Sequence, residues 1–204
     1  MTGHLAWYVA RAGGIVAWLL VTASVTFGLL LSTRLGSRFA KAVWLQEVHR
    51  FVSLLAVTFM AVHVGALIAD NYVHFGLADV LVPFASAWRP LAVALGVVAM
   101  WLVVAVEVTS QLKSHLPRRV WHAIHLSSYL AYWLVTVHLL AAGSDAWTRP
   151  VAALTIVTTA GLTALSLAGL ARSARPRRRV VGTPDRRRPA GTRETVRPGA
   201  YGSP

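Results

Sequence analysis

Four of the eight histidines in this 204-residue chain lie inside two apolar segments at nearly equal spacings. His49 and His63 are 14 residues apart in one segment, and His125 and His138 are 13 residues apart in the other. An imidazole inside a hydrophobic segment is costly unless it has a partner, and neutral imidazole is a common metal ligand. A hydrogen bond to a neighbouring carbonyl would explain one such histidine. Two matched pairs indicate ligation instead.

The segments that carry these histidines are too apolar for a water-soluble fold. The chain is 56% hydrophobic with a mean hydropathy of +0.58, and its 13% of charged residues is about half the share in soluble domains. A helix needs roughly 20 apolar residues to cross the hydrocarbon core. Five stretches meet this need: 8–31, 45–69, 89–110, 120–142 and 150–170. The sequence therefore predicts an all-α integral membrane bundle with five transmembrane helices.

The basic residues of the short links predict the orientation of the bundle. Arg89 and Arg149 lie at the ends of the second and fourth links, whereas the first and third links carry three basic residues each: Arg34, Arg38, Lys41, Lys113, Arg118 and Arg119. Links rich in Lys and Arg stay on the cytoplasmic side. We therefore expect a multi-pass plasma-membrane protein with its N-terminus outside and its C-terminus in the cytoplasm. The start of the chain lacks a basic region, so we expect no removable signal peptide.

This orientation places the histidines at two depths. Both segments run from the cytoplasmic side outward, and their spacings correspond to rises of about 21 Å and about 19.5 Å. His49 and His125 then lie at an inner depth, and His63 and His138 lie at an outer depth. Each depth offers two imidazoles, and the chain has no cysteine. This set suits two bis-imidazole haems better than structural zinc, which takes four close ligands.

The 13-residue spacing does not fit this scheme simply. At 100° per residue, 14 residues return to within about 40° of the same helix face, whereas 13 residues land about 140° away. The second histidine helix therefore needs local tightening, bending or side-chain rotation to aim both rings at one partner helix. His122 lies one turn before His125 and is the alternative ligand at the inner depth.

The two segments read HRFVSLLAVTFMAVHV and RRVWHAIHLSSYLAYWLVTVHLLAAGSD. With H-x13-H on one helix and H-x12-H on another, the chain resembles the ferric reductase-like transmembrane domain family, the membrane core of NADPH oxidases and ferric reductases. The resemblance covers roughly residues 8–145. It implies that His49 and His125 hold the iron of an inner haem b, and that His63 and His138 hold the iron of an outer one.

Two departures from the family bear on function. The family has six membrane helices where five are predicted here, and its oxidases and reductases continue into a flavin and nicotinamide domain. This sequence contains no Gly-x-Gly-x-x-Gly or other nucleotide-binding pattern. We therefore expect a separate electron-donor protein, such as a flavoprotein, and an oxidoreductase component that is not self-sufficient. The resemblance implies ferric iron, oxygen or a periplasmic reductase partner as acceptor. The alternative is a non-redox scaffold or small transporter subunit whose histidines bond between helices.

Two basic features complete the set of candidates. Arg50 follows His49, and we expect it either to pair with a haem propionate or to extend toward the cytoplasmic surface. The chain divides into a haem-binding domain, 1–170, and an Arg- and Pro-rich segment, 171–204, that is predicted to be disordered. Ten arginines in that segment favour contact with anionic membrane lipid. With one aromatic residue there, we expect no binding of nucleic acid.

Overall fold

The computed structural model describes residues 5–33, 41–70 and 74–173, of which 84% are helical and none lies in a strand. Five of the helices are long and apolar enough to cross a membrane, which confirms the predicted all-α fold and its five spans. Every predicted span ends within three residues of the observed helix. The helices are α1 (Leu5–Ser32), α2 (Ala42–Ala69), α3 (Leu77–Leu81), α4 (Pro90–Gln111), α5 (Arg118–Ala142) and α6 (Arg149–Ser173).

The four helices α1, α2, α4 and α5 form the bundle that matters for the histidines. Helix α1 packs along α2, and α4 packs along α5, while contacts of α1 with α5 and of α2 with α4 join the two halves. Small residues such as Ala10, Ala94 and Ala131 are almost completely buried at these contacts. Small side chains let membrane helices approach closely, so the backbones of neighbouring helices come within reach of long side chains.

Helix α6 packs on the outside of this bundle. Its Leu162 is buried with Val25 and Leu29 of α1 and Tyr132 of α5. The Tyr132 hydroxyl also lies 3.0 Å from Oγ1 of Thr159 in α6. This contact satisfies the polar atom of a side chain that is otherwise in the core.

The outward faces of the helices are apolar and exposed, as a lipid environment requires. Large hydrophobic side chains on these faces include Phe51, Trp101, Leu126, Trp133 and Ile156. Because water would penalise so many exposed apolar groups, hydrocarbon is the solvent that fits this surface. The protein is a multi-pass helical membrane protein whose outer faces suit lipid contact.

The link between α2 and α4 contains a helix that the sequence did not predict. Helix α3 is only five residues long. Its Val80 and the preceding Phe75 are buried against Val93 and Val97 of α4. At the start of α4, the Arg89 guanidinium donates a hydrogen bond of 2.6 Å to the carbonyl of Ala141 at the end of α5. These contacts hold the ends of α4 and α5 together.

The Arg-rich segment lies mostly outside the described residues. Helix α6 continues to Ser173, three residues beyond the predicted end of the last span. Residues 174–204, to which the prediction of disorder and lipid contact applies, are outside the described ranges. The same holds for Arg34 and Arg38 of the first link.

Candidate functional site

The bundle brings the four histidines of the two apolar segments together as two pairs, one ring from α2 and one from α5 in each. The ring centroids of His49 and His125, the first pair, are 6.2 Å apart. Those of His63 and His138, the second pair, are 6.5 Å apart. The rings within each pair are nearly perpendicular, with interplanar angles of 78° and 77°. These are the partners that the sequence predicted.

Three of the four rings are fixed by a hydrogen bond from Nδ1 to a backbone carbonyl of a neighbouring helix. His63 Nδ1 lies 2.7 Å from the carbonyl of Ala10, and His49 Nδ1 lies 2.9 Å from that of Ser24. His138 Nδ1 lies 2.7 Å from the carbonyl of Ala92 in α4. A carbonyl can only accept, so Nδ1 carries the hydrogen in each ring. In the neutral ring, Nε2 then has the free lone pair that binds metal.

The fourth ring, His125, is held differently. Its Nδ1 lies 3.5 Å from Oγ of Ser110, at the limit of a hydrogen bond. The indole of Trp121 stacks on it instead, with centroids 5.0 Å apart and planes inclined by 24°. The alternative residue, His122, is exposed, and its ring lies against Trp121 rather than opposite His49. The geometry therefore favours His125 over His122 as the partner of His49.

The 13-residue spacing is accommodated without a break in α5, which is helical from Arg118 to Ala142. Both of its inward histidines contact α4, one at Ser110 and the other at Ala92. These two positions are 18 residues apart, which is about five complete turns, so they lie on one face of α4. Both rings therefore approach one face of α4, and each lies opposite its partner on α2, although α5 is one continuous helix.

The distances within the pairs fit a metal ion held between two imidazoles. With metal–nitrogen bonds of about 2 Å, the two nitrogens are about 4 Å apart and the ring centroids are roughly 6 Å apart. Among the described residues, no group of three or more His, Cys, Asp or Glu side chains surrounds either pair. Each pair therefore offers two imidazole ligands, and it would suit a centre that brings its other ligands with it, such as haem.

The second pair opens into a cavity of about 170 Å³. Its walls are mostly apolar and include Trp18, Val64, Phe75, Val97, Met100 and Leu139. The indole of Trp18 is completely buried, and its Nε1 donates a hydrogen bond of 3.0 Å to Oγ1 of Thr136. An apolar slot of this kind between helices is typical of sites for flat, hydrophobic cofactors.

A smaller and more polar cavity of about 50 Å³ lies nearer the first pair. Its lining includes Ser24, Ser53 and Glu107. The Ser24 hydroxyl lies 2.7 Å from Oγ of Ser53 and 3.3 Å from Nδ1 of His49. The two histidine pairs thus differ in the space and polarity beside them.

An ion pair at the cavity beside the second pair was missed by the sequence reasoning. Arg11 of α1 donates through Nε to Oδ2 of Asp145 at 2.8 Å, and a second guanidinium nitrogen pairs with the other carboxylate oxygen. Both residues line the cavity of the second pair. An ionisable residue within a predicted span is a signal of a functional position, so Arg11 was detectable from the sequence. Its partner, in the link after α5, was not.

Arg50 is the one predicted site residue that the structure does not bring into contact with the others. It lies exposed on α2 next to His49. It makes no hydrogen bond or ion pair with another residue in the ranges that the structure describes. The proposed pairing of Arg50 with a propionate stays a prediction.

Comparisons with protein-family models, with curated proteins and with solved structures find no match for this chain. The functional argument therefore depends on the geometry of the residues.

Proposed function

We propose that the protein is a b-type membrane cytochrome that carries single electrons across the membrane. One haem would be ligated by the first pair and the other by the second pair. The observation that carries this proposal is the opposition of two imidazoles in each pair, at separations that suit one metal ion. The described residues offer two such pairs on the same two helices.

The haem iron supplies the one-electron chemistry when it is bound. The chain supplies the surroundings that control it. Hydrogen bonds from Nδ1 to carbonyls fix the direction of the imidazoles and raise their basicity. The apolar walls beside the second pair exclude water and keep the local dielectric low. The chain therefore orients the ligands and influences the reduction potential.

The two pairs define a path along the helices. His49 and His63 are 14 residues apart in one continuous helix, which corresponds to a rise of about 21 Å. A path of that length covers much of a hydrocarbon core of roughly 30 Å. By the predicted orientation, electrons would enter near the first pair from a separate cytoplasmic donor and leave near the second pair. The family resemblance favours a flavoprotein donor and ferric iron, oxygen or a periplasmic reductase as the acceptor.

A non-redox scaffold or transporter subunit is the second candidate. Its specific support is the set of carbonyl hydrogen bonds, because these join helices whether or not a metal is present. This function gives no reason for each ring to lie opposite a second histidine ring, with centroids 6.2 Å and 6.5 Å apart. It also gives no reason for an apolar cavity beside the second pair.

Single substitutions of the four histidines test the cytochrome proposal. His63→Ala and His138→Ala should each abolish the same haem, and His49→Ala and His125→Ala should each abolish the other. Pyridine haemochrome quantitation gives the number of haems, and electron paramagnetic resonance of the oxidised protein identifies the one that remains. His122→Ala and His115→Ala are matched controls and should keep both haems. Two haems in any of the four alanine variants would contradict the ligand assignment.

The predicted orientation has its own test, which the absence of native cysteine makes simple. Single cysteines are introduced as Asp79→Cys, between α2 and α4, and Lys113→Cys, between α4 and α5. A membrane-impermeant maleimide applied to intact cells should label the first variant. The second should react only after the membrane is permeabilised. The reverse pattern would overturn the orientation and, with it, the direction of electron flow.

A further inference from the structure

The three carbonyls that accept hydrogen bonds from histidine share one feature of sequence. Each is followed, four residues later on the same helix, by glycine. The acceptors are Ala10, Ser24 and Ala92, and the glycines are Gly14, Gly28 and Gly96. In an α-helix, the side chain at position i+4 leans back over the carbonyl of residue i. Glycine has no Cβ, so the second lone pair of the carbonyl stays open to a ring from another helix.

The space left by two of these glycines is occupied by the imidazoles themselves. A Cβ at Gly96 would lie 2.6 Å from Nδ1 of His138, and one at Gly14 would lie 2.9 Å from Nδ1 of His63. Both distances are shorter than a van der Waals contact. At Gly28 the nearest atom is Cε1 of His49 at 3.5 Å, an ordinary contact. The two rings of the second pair therefore depend on glycine sterically, whereas His49 depends on it less.

The fourth ring, His125, does not share this arrangement. Its Nδ1 lies 3.5 Å from Oγ of Ser110, and it makes no hydrogen bond to a backbone carbonyl among the described residues. The glycine pattern therefore applies to three of the four rings, which are both rings of the second pair and one ring of the first.

On the basis of the proposed function, we propose that these glycines are positioning residues for the ligand rings. Gly14, Gly28 and Gly96 expose the carbonyls that fix three of the four rings, and Gly14 and Gly96 also leave the space that the rings of the second pair occupy. A donated Nδ1 hydrogen makes an imidazole a stronger ligand and favours the oxidised iron. The second pair has two such bonds, and the first pair has one.

Glycine substitutions test this proposal. Gly96→Ala and Gly14→Ala should lower the haem content of the second pair, with the larger loss at Gly96, and should leave the first pair loaded. Alanine is the better helix former, so a loss cannot come from helix propensity. Gly13→Ala is the matched control, since its Cβ would meet the His63 backbone at an ordinary 3.5 Å. Gly65→Ala, which faces open space, is the second control.

The outcomes separate this inference from the function on which it depends. A parent protein without haem would overturn the proposed function and the inference together. A two-haem parent whose Gly14→Ala and Gly96→Ala variants keep both haems at unchanged potentials would overturn the role of the glycines alone. An equal loss of haem in Gly13→Ala would assign the effect to close packing of the helices, and would also overturn the role of the glycines.

Discussion

The first and second pairs use the same two helices, but their surroundings differ. Both rings of the second pair donate to backbone carbonyls at 2.7 Å, and they face an apolar cavity of about 170 Å³. In the first pair, one ring has a carbonyl at 2.9 Å, and the other has a hydroxyl at 3.5 Å and a stacked indole. The cavity nearer to it is about 50 Å³ and carries serine and glutamate.

This difference shows which ligand rings the helices hold in place before a cofactor binds. Backbone carbonyls and glycines are fixed by the helices, so a ring bonded to them is held before any cofactor arrives. A ring held by a hydroxyl and a stacking contact keeps more freedom, because both partners are side chains with their own rotamers. We therefore expect the second pair to be preorganised and the first pair to gain order on binding.

The largest effect expected from this comparison is in the order in which the two pairs take up haem. When haem supply is limited during expression, the second pair should fill first. Under that condition His49→Ala should retain nearly all of the bound haem of the parent protein, whereas His63→Ala should retain severalfold less. Haem content per chain, measured at several levels of haem supply, checks the order. Equal losses in the two variants would show that the surroundings of the pairs do not control affinity.

A second expected effect concerns the stability of the helices around the second pair. Thr136→Val removes the acceptor of the buried Trp18 indole and leaves its N–H unpaired. Such a buried, unsatisfied group costs about 1–3 kcal/mol. Thr136→Ser keeps the hydroxyl and is the matched control. Thermal unfolding in detergent, followed by near-ultraviolet circular dichroism, should show a lower midpoint for the valine variant only. Equal midpoints would mean that this hydrogen bond adds little.

The ion pair of Arg11 and Asp145 should contribute less to stability than the hydrogen bond between Trp18 and Thr136. Asp145→Asn removes the charge that pairs with Arg11, and the two side chains are 27% and 30% exposed. Partly exposed ion pairs contribute roughly 1 kcal/mol or less. We expect a small fall in unfolding midpoint and no loss of the haem at the first pair. Asp79→Asn, an acid elsewhere among the links, is the control. A loss of the first haem would show that the two regions are coupled.

The smallest effect is expected at Arg50. Removal of a positive charge close to a redox centre makes reduction less favourable, so Arg50→Gln should lower the potential at the first pair slightly. The potential at the second pair should not move. Arg149→Gln, at the start of α6, is the control for a general loss of charge. A change at the second pair, or none at either, would remove Arg50 from the candidate site.

The elements and the partners of the histidines follow from the sequence because both depend on simple periodicity. Apolar runs of sufficient length predicted the five spans, and equal depths predicted that His49 faces His125 and that His63 faces His138. The 13-residue spacing predicted local tightening, bending or side-chain rotation in α5, and the structure shows a helix without a break from Arg118 to Ala142. The two α5 rings turn toward one face of α4, which is a property of the helix packing.

The surroundings of the rings were not predicted because they depend on the register between helices. A glycine in a membrane helix reads as a residue for close packing, and nothing in the sequence assigns Gly14 to His63 or Gly96 to His138. The register follows from packing, and with it the contacts of Gly14 with His63 and of Gly96 with His138 become visible. The same is true of Asp145 in the link after α5, whose partner Arg11 lies 134 residues away on α1.

The central claim is that each histidine pair ligates one haem. Quantitation of pyridine haemochrome on the detergent-purified protein, together with a reduced-minus-oxidised spectrum, tests it most directly. We predict two b-type haems per chain, each with the spectrum of bis-imidazole ligation. A protein that binds no haem, after expression with ample haem supply, would contradict the claim and leave the scaffold function in its place.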